Sequence, residues 1–305
     1  MSAISFKDRV AIVTGAGGGL GRSHALALAA RGVRVVVNDL GGAVDGTGGS
    51  ATMAENVVKE IKEAGGHAIP NGANVTKADE VEAMVGEAVD AFGHVDILVN
   101  NAGILRDKSF SKMTLEDFKL VVDVHLIGSA TCTKAVWNHM KERNFGRICM
   151  TTSSSGMYGN FGQANYGAAK AGLSGLMRTL VLEGAKYDIR VNTLSPTARS
   201  RMTEGLMPEA ILEQLRVEPV SQGLVYLVCD GAPNRVILCA GAGGYSLTKV
   251  VETPGINLTE ANQTAEKVAE HWAAISDMEG AEEFTNGGQQ GAKFLGRIQQ
   301  GQFAE

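Results

Sequence analysis

The amino-acid sequence predicts an α/β protein: one doubly wound, parallel, seven-stranded sheet followed by a helical C-terminal extension. Three observations support this fold class. Short apolar runs rich in β-branched residues alternate with stretches of helical periodicity from residue 9 to residue 240. A glycine-rich turn follows the first run, and an acidic residue ends the second. We expect residues 5–245 to form a dinucleotide-binding and catalytic domain, and residues 246–305 to form the extension.

The elements follow one another in a regular βα order. The seven predicted strands are 9–14, 33–39, 67–71, 95–99, 147–152, 189–194 and 235–240. Helices are predicted between them from apolar stripes at helical spacing, over 22–31, 51–64, 77–92, 114–144 and 164–187. Thr76 is expected to cap the third helix. Because ligands bind beyond the carboxyl ends of parallel strands, residues just after each strand are the candidate site residues.

Composition limits the partners that this chain could have. The 305 residues are 44% hydrophobic, and the formal net charge is −5, which argues against nucleic acid and anionic membranes as main partners. No apolar run approaches the ~20 residues that span a bilayer, and the N-terminus lacks the pattern of a secretory signal. The four cysteines form no Cys-x-x-Cys pair and, like the six histidines, no metal-ligand spacing. We expect a cytoplasmic protein without a metal.

The first strand leads into Thr14-Gly15-Ala16-Gly17-Gly18-Gly19-Leu20-Gly21 and then a helix. A strand, a glycine turn and a helix N-terminus form a site for a pyrophosphate, because free N–H groups and the helix dipole attract anions. Gly15 would permit the tight turn, Gly19 the approach of the phosphates, and Gly21 the close packing of helix on strand. The alternative is an ordinary βα loop.

Asp39 ends the second strand, twenty residues after Gly19. A carboxylate there accepts hydrogen bonds from the adenosine ribose and repels a 2′-phosphate, so NAD is predicted over NADP. The alternative is a solvated aspartate that caps the next loop. The fourth strand ends in Asn100-Asn101-Ala102-Gly103, whose small residues suit backbone that lies under a flat ligand.

The candidate catalytic residues lie between Thr151 and Lys170. Tyr166 and Lys170 are four residues apart and share a helical face, and Ser153 follows the fifth strand, thirteen residues before the tyrosine. A free tyrosine has a pKa of ~10, and a nearby ammonium favours its phenolate. Tyr166 could then exchange a proton with an alcohol or carbonyl oxygen that Ser153 holds. The alternative is a buried tyrosine and a solvated lysine at a coincidental spacing.

Together these residues resemble the short-chain dehydrogenase/reductase family over about residues 5–245. The resemblance implies a Rossmann-type sheet and an NAD-dependent enzyme that acts on a secondary alcohol. It implies Ser153, Tyr166 and Lys170 as catalytic residues. The cofactor-binding residues would be Gly15, Gly19, Leu20, Gly21, Asp39, Asn74, Val75, Asn101, Gly103, Tyr166, Lys170, Pro196 and Thr197.

A narrower resemblance rests on four segments: Asn38–Gly42, Asn101–Asp107, Gly156–Tyr166 and Ser200–Thr203. They are similar to the dehydrogenase domain of the peroxisomal multifunctional enzymes of type 2 and to its bacterial single-domain relatives. This implies oxidation of a (3R)-3-hydroxyacyl-CoA by NAD in fatty-acid or sterol side-chain β-oxidation. It also implies a homodimer or homotetramer, and hydration by a separate protein because no hydratase domain follows. The rivals are a 3-oxoacyl carrier-protein reductase, a hydroxysteroid dehydrogenase and an NAD-binding regulator without turnover.

The sequence departs from the family pattern at three places. His125 stands where many members have an asparagine of the proton relay, and it could hold the same water or be a core histidine. Asn74 replaces an aspartate that meets the adenine, and Pro196-Thr197 replaces a frequent Pro-Gly.

The segments after the sixth strand are open to more than one interpretation. Residues 199–216 form either a lid over an acyl chain or two short helices packed on the core. Arg199 and Arg201 meet a CoA phosphate or are solvated. Residues 259–278 are predicted to form one helix that packs across a dimer or on its own subunit, and 285–305 to be partly ordered.

Overall fold

The structure, a computed structural model, describes residues 4, 6, 8–48, 50, 52–199 and 208–304. The chain forms two compact units, which we call the sheet unit, residues 1–247, and the tail unit, residues 248–305. The assignment of residues 5–245 to a catalytic domain and of residues 246–305 to an extension stays a prediction. No helix in the described part of the chain is long and apolar enough to cross a membrane.

Within the described residues, the sheet has eight strands in the order β3-β2-β1-β4-β5-β6-β7-β8. Strands β1 to β7 pair in parallel, which confirms the predicted doubly wound sheet. The strands are β1 Val10–Thr14, β2 Arg34–Asn38, β3 Ala68–Asn71, β4 Ile97–Asn100, β5 Gly146–Thr151, β6 Ile189–Thr197, β7 Ile237–Gly241 and β8 Gly244–Thr248.

The predicted count of seven strands was one too low. The eighth strand, Gly244–Thr248, follows β7 after only two residues, a link that joins antiparallel neighbours. The glycines between residues 241 and 244 mark this tight hairpin, because Gly243 has a φ of +78° that other residues rarely adopt. Four of the five β8 residues are exposed, so the strand carries no buried apolar run by which it could be predicted.

Helices cover both faces of the sheet. In the sheet unit they are α1 Gly19–Ala29, α2 Thr52–Glu63, α3 Ala78–Phe92, α4 Leu115–Val122, α5 Gly128–Arg143, α6 Ser154–Tyr158, α7 Ala164–Gly184, α8 Glu209–Leu212 and α9 Val217–Leu227. One buried cluster joins the sheet to α1, α2 and α9, and a second joins the opposite face to α3, α5 and α7. Successive strand residues such as Ile12 and Val13 belong to different clusters, as the two-residue period of a strand requires.

Three element predictions need correction. The helix predicted over 114–144 is interrupted by a π-helical turn, Asp123–Ile127, between α4 and α5. Thr76 does not cap α3: its hydroxyl donates to Asn74 Oδ1 at 2.9 Å, and the residue before α3 is Lys77. Strand β6 continues to Thr197, so Pro196 and Thr197 extend the strand that pairs with β7.

The tail unit does not contain the single helix predicted over 259–278. Two short helices, α10 Ala265–Glu270 and α11 Trp272–Ser276, are separated at His271, whose ψ of +9° leaves the helical region. A third helix, α12 Gly288–Gln299, occupies the segment that was expected to be partly ordered. Backbone bridges join Glu252 to Glu282 and Leu258 to Ala304.

The direction of winding reverses at β1, which pairs with β2 on one side and β4 on the other. The segments that follow two such strands run in opposite directions, and a crevice forms between them at the carboxyl ends of the strands. The glycine turn follows β1 and Asn101 follows β4, so the two candidate cofactor segments meet at this crevice.

Candidate active site

The turn after β1 is held by Asn101. Its side-chain Nδ2 donates to the carbonyl oxygens of Thr14 and Gly15, each at 3.1 Å. Gly15 has a φ of +63°, and a Cβ there would lie 2.8 Å from the Cα of Ala102. Gly21 is more tightly constrained, because a Cβ would lie 2.1 Å from the carbonyl oxygen of Gly15. Both glycines therefore have the structural roles expected of them.

The N-terminus of α1 is open to an anion. The helix begins at Gly19, with a φ of +51°, and Gly18 before it provides no side-chain cap. The first turn holds no acidic residue, and Leu20 packs its side chain on the core beneath. Free N–H groups at a helix N-terminus without a carboxylate are the donor set that a pyrophosphate requires.

Asp39 lies against this turn. Its Oδ2 accepts from the backbone N–H of Gly17 and its Oδ1 from that of Gly41, both at 2.7 Å. A Cβ on Gly17 would lie 2.8 Å from Asp39 Cγ, so only glycine permits this approach. Each carboxylate oxygen keeps a lone pair for a ribose hydroxyl. The residues present therefore fit an adenine dinucleotide.

Four further candidate cofactor residues line the same edge of the sheet. Asn74 Oδ1 already accepts two hydrogen bonds from Thr76, at 3.0 and 2.9 Å, so its Nδ2 is the group left to donate. Val75 is buried against Gly128, where a Cβ would lie 2.8 Å away. Pro196 and Thr197 end β6, with Pro196 partly buried and Thr197 exposed.

Ser153 stands between β5 and α6 and caps the helix. Its backbone is extended, with a φ of −160°, and its Oγ accepts from the N–H of Ser155 at 3.2 Å. The same side chain hydrogen-bonds the phenol of Tyr166, which favours the ionised phenol. The predicted Ser153 and Tyr166 pair is thus brought together.

Lys170 is almost fully buried one turn after Tyr166. Its Nζ donates to the carbonyl oxygen of Thr151 at 2.6 Å and lies 5.3 Å from the centre of the Tyr166 ring. Burial lowers the pKa of Lys170 to about 7. Burial also raises the pKa of Tyr166, and the carboxylate of Asp107 raises it further. The lowering of the Tyr166 pKa that was expected from the Lys170 ammonium does not dominate. Removal from water disfavours both the phenolate and the ammonium.

His125 lies in the π-helical turn, edge-on to Tyr166, with ring centres 5.1 Å apart. Its Nε2 lies 2.8 Å from the carbonyl oxygen of Ile104. A Cβ on Gly103 would lie 2.2 Å from His125 Cε1, so this glycine makes room for the imidazole. Burial lowers the pKa of His125 well below its usual value, and Lys170 lowers it further, so the ring is neutral. Its buried Nδ1 has no hydrogen-bond partner among the described residues.

The structure describes only some of the candidate substrate-binding residues. Arg201 and the segment Ser200–Thr203 fall within 200–207, outside the described residues. Arg199 forms an ion pair with Glu209 on α8, so its charge is already matched. Arg106 and Lys108 both contact Asp117, at 3.2 and 3.1 Å.

Two features of the site did not follow from the sequence. The N–H of Gly17 donates to Asp39, and the row of three glycines is the sequence signal for this close approach. Gln163 lies within the segment Gly156–Tyr166, and its Nε2 donates to Asp107 Oδ2 at 2.6 Å. Nothing local could indicate this contact, because the two residues are 56 positions apart.

The comparisons with known proteins agree with this geometry. The sequence profile of the short chain dehydrogenase family matches residues 9–209. The chain is 46% identical over 278 residues to the peroxisomal multifunctional enzyme A of Dictyostelium discoideum, covering 91% of this chain and 62% of that enzyme. It is 46% identical over 276 residues to a short-chain type dehydrogenase/reductase of Mycobacterium tuberculosis, covering 90% and 96%.

A solved structure has the same fold. Full-length peroxisomal multifunctional enzyme type 2 of Drosophila melanogaster superposes with a TM-score of 0.81 at 35% identity. The alignment covers 97% of this chain and 50% of that one. The chain therefore spans about half the length of this multifunctional relative.

Proposed function

This chain belongs to the short-chain dehydrogenase family of oxidoreductases, and we propose that it is an NAD-dependent (3R)-3-hydroxyacyl-CoA dehydrogenase of fatty-acid or sterol side-chain β-oxidation. The observation that carries the chemistry is the cluster of Ser153, Tyr166 and Lys170 beside the crevice at β1 and β4. The acyl-CoA part rests on similarity to the peroxisomal multifunctional enzymes.

In the proposed oxidation, Tyr166 accepts the proton of the substrate hydroxyl group. Bound NAD would supply the hydride acceptor and a positive charge near the phenol. Ser153 Oγ, which already bonds the phenol, would hold the same substrate oxygen as its charge develops. Lys170, fixed by the Thr151 carbonyl, lies on the ring side of Tyr166, where its ammonium form favours the phenolate. In the reverse direction Tyr166 protonates the carbonyl oxygen, for which its raised pKa suits it.

Asp39 supports NAD as the cofactor. A 2′-phosphate would stand against a carboxylate whose oxygens are each held by a backbone N–H, so the carboxylate has little freedom to turn away. A nearby lysine or arginine would be needed to neutralise the 2′-phosphate, and residues 15–21 contain neither.

The decisive experiment is a substrate panel assayed with NAD and with NADP. It contains (3R)- and (3S)-3-hydroxyacyl-CoA esters, the same acyl group on a carrier protein, and free hydroxysteroids. We expect the highest kcat/KM for the (3R)-CoA ester with NAD. Preference for NADP and the carrier-protein ester would indicate a 3-oxoacyl carrier-protein reductase instead, and absence of turnover with tight NAD binding would indicate a regulator. Light scattering on the same preparation tests the proposed homodimer or homotetramer.

A further inference from the structure

The loop after β4 is tied to the segment that leads into α7. Three successive residues of the loop make these contacts, beginning with the carbonyl oxygen of Arg106, which accepts from Asn165 Nδ2 at 3.1 Å. Asp107 Oδ2 accepts from Gln163 Nε2 at 2.6 Å, and the N–H of Lys108 donates to the carbonyl oxygen of Gly162 at 2.9 Å. Three hydrogen bonds therefore join the loop to the segment just before Tyr166.

Gln163 connects this contact to the catalytic serine. Its Oε1 accepts from Ser155 Oγ at 2.7 Å, and the N–H of Ser155 donates to Ser153 Oγ at 3.2 Å. The amide of Gln163 thus uses its donor on Asp107 and its acceptor on Ser155, whose N–H donates to the catalytic Ser153. An amide bonded at both ends has a defined orientation, because exchanging its oxygen and nitrogen would break both contacts.

We propose that Asp107 is a positioning residue for Tyr166: its carboxylate, held by Gln163, orders the turn before α7 and places a fixed negative charge beside the catalytic phenol. The inference rests on the proposed function. It adds to the Ser153, Tyr166 and Lys170 set a residue that touches neither substrate nor cofactor in the proposed reaction.

The effect of Asp107 on Tyr166 depends on the other charged and titratable groups around the phenol. Lys170 stands on the same helix, and His125 on the π-helical turn is neutral. Asp117 on α4 is matched by Arg106 and Lys108. Burial raises the pKa of the Cys149 thiol on β5, so this group is neutral. The carboxyl ends of β5 and β6 carry no charged side chain.

Against that background the Asp107 carboxylate is an anion close to Tyr166 that lacks a salt-bridge partner among the described residues. Its negative charge opposes loss of the phenol proton, so it raises the pKa of Tyr166, in addition to burial. Asp107 is exposed to solvent, and its effect must therefore weaken as salt is added.

The test is the pH dependence of kcat/KM for alcohol oxidation in three variants. Asp107→Asn keeps an acceptor for Gln163 and removes the charge, so the midpoint of the rising limb should move to lower pH. Asp107→Glu keeps the charge and should restore a midpoint close to that of the original chain. Asp90→Asn removes an equal charge from an exposed position on α3 and should leave the profile unchanged.

Salt gives a second measurement on the same proteins. At ~1 M salt, where the screening length is about 3 Å, the midpoint of the original chain should approach that of Asp107→Asn. Midpoints that coincide at low salt in the original chain and Asp107→Asn would overturn the inference. That result differs from failure of the proposed function, in which the original chain itself oxidises no 3-hydroxyacyl-CoA.

Discussion

Single residues at this site are governed by burial more than by pairwise attraction. Tyr166 and Lys170 are close, yet the pKa of the phenol is raised and that of the amine is lowered to about 7. Both shifts have removal from water as their first cause, and each favours the neutral form. Near neutral pH the phenol is therefore neutral and the amine carries only part of its charge, which no count of residues between them could indicate.

Replacing Tyr166 by phenylalanine tests the phenol directly. The ring and its contact with His125 remain, but the proton acceptor is lost, so kcat should fall by about 10²–10⁴-fold. NAD binding, measured by calorimetry, should change little. Tyr226→Phe on α9 is the matched control, because its partly exposed ring lies on a helix that carries none of the candidate site residues. Full activity of Tyr166→Phe would exclude the proposed mechanism.

The buried amine of Lys170 should also affect stability. Its pKa is about 7 in the folded chain and 10.5 when unfolded, so between these values the unfolded chain binds more protons at this site. Stability contributed by Lys170 therefore rises with pH through this window. The difference in free energy of unfolding between the original chain and Lys170→Met should increase from pH 7 to pH 9 in denaturant titrations. For Lys134→Met, at an exposed position on α5, the difference in free energy of unfolding from the original chain should not change with pH. A constant difference for Lys170→Met would show that the amine is not buried.

At the scale of elements, the glycine turn and the π-helical turn place the reactive groups. Asn101 holds the first turn, and its contacts explain why Gly21 has no room for a side chain. The π-helical turn places one extra residue in a turn of a long helix. It brings His125 against Tyr166. Such π-helical turns are frequent at functional sites. The helix of residues 114–144 was predictable from its periodicity, but its interruption was not.

Two glycine-to-alanine substitutions separate close packing from helix propensity. At Gly21 the new Cβ would meet backbone atoms of Gly15, so we expect a loss of about 1–3 kcal/mol in stability together with weaker NAD binding. At Gly86, inside α3, a Cβ meets nothing within 4 Å, so alanine should stabilise the chain by roughly 1 kcal/mol. Urea titrations measure both values. Equal effects of the two substitutions would contradict the packing role of Gly21.

At the scale of the whole molecule, the candidate site residues belong to one unit. Gly15, Asp39, Asn101 and the stretch from Ser153 to Lys170 all lie within residues 1–247. The tail unit has its own bridges and helices between residues 248 and 304. Cofactor binding should therefore depend on the sheet unit.

Truncation tests this dependence. A chain that ends at Thr248, and so keeps β8, should fold and bind NAD with an affinity equal to that of the full chain. Calorimetric titration of both chains measures the affinity, and circular dichroism monitors the fold. If the shortened chain folds but loses NAD, the tail unit contributes to the cofactor site.

Local patterns in the sequence determined the order of strands and helices, the glycine turn, Asp39 and the spacing of Ser153, Tyr166 and Lys170. These features depend on backbone periodicity and on residues a few positions apart, and the parallel sheet confirms the predicted strands among them. The tertiary structure alone decided the direction in which each pKa moves, the place of His125 beside Tyr166 and the hydrogen bond from Gln163 to Asp107. The physical reason is that burial and long-range contacts arise only when distant segments pack together, here across 56 positions between Asp107 and Gln163.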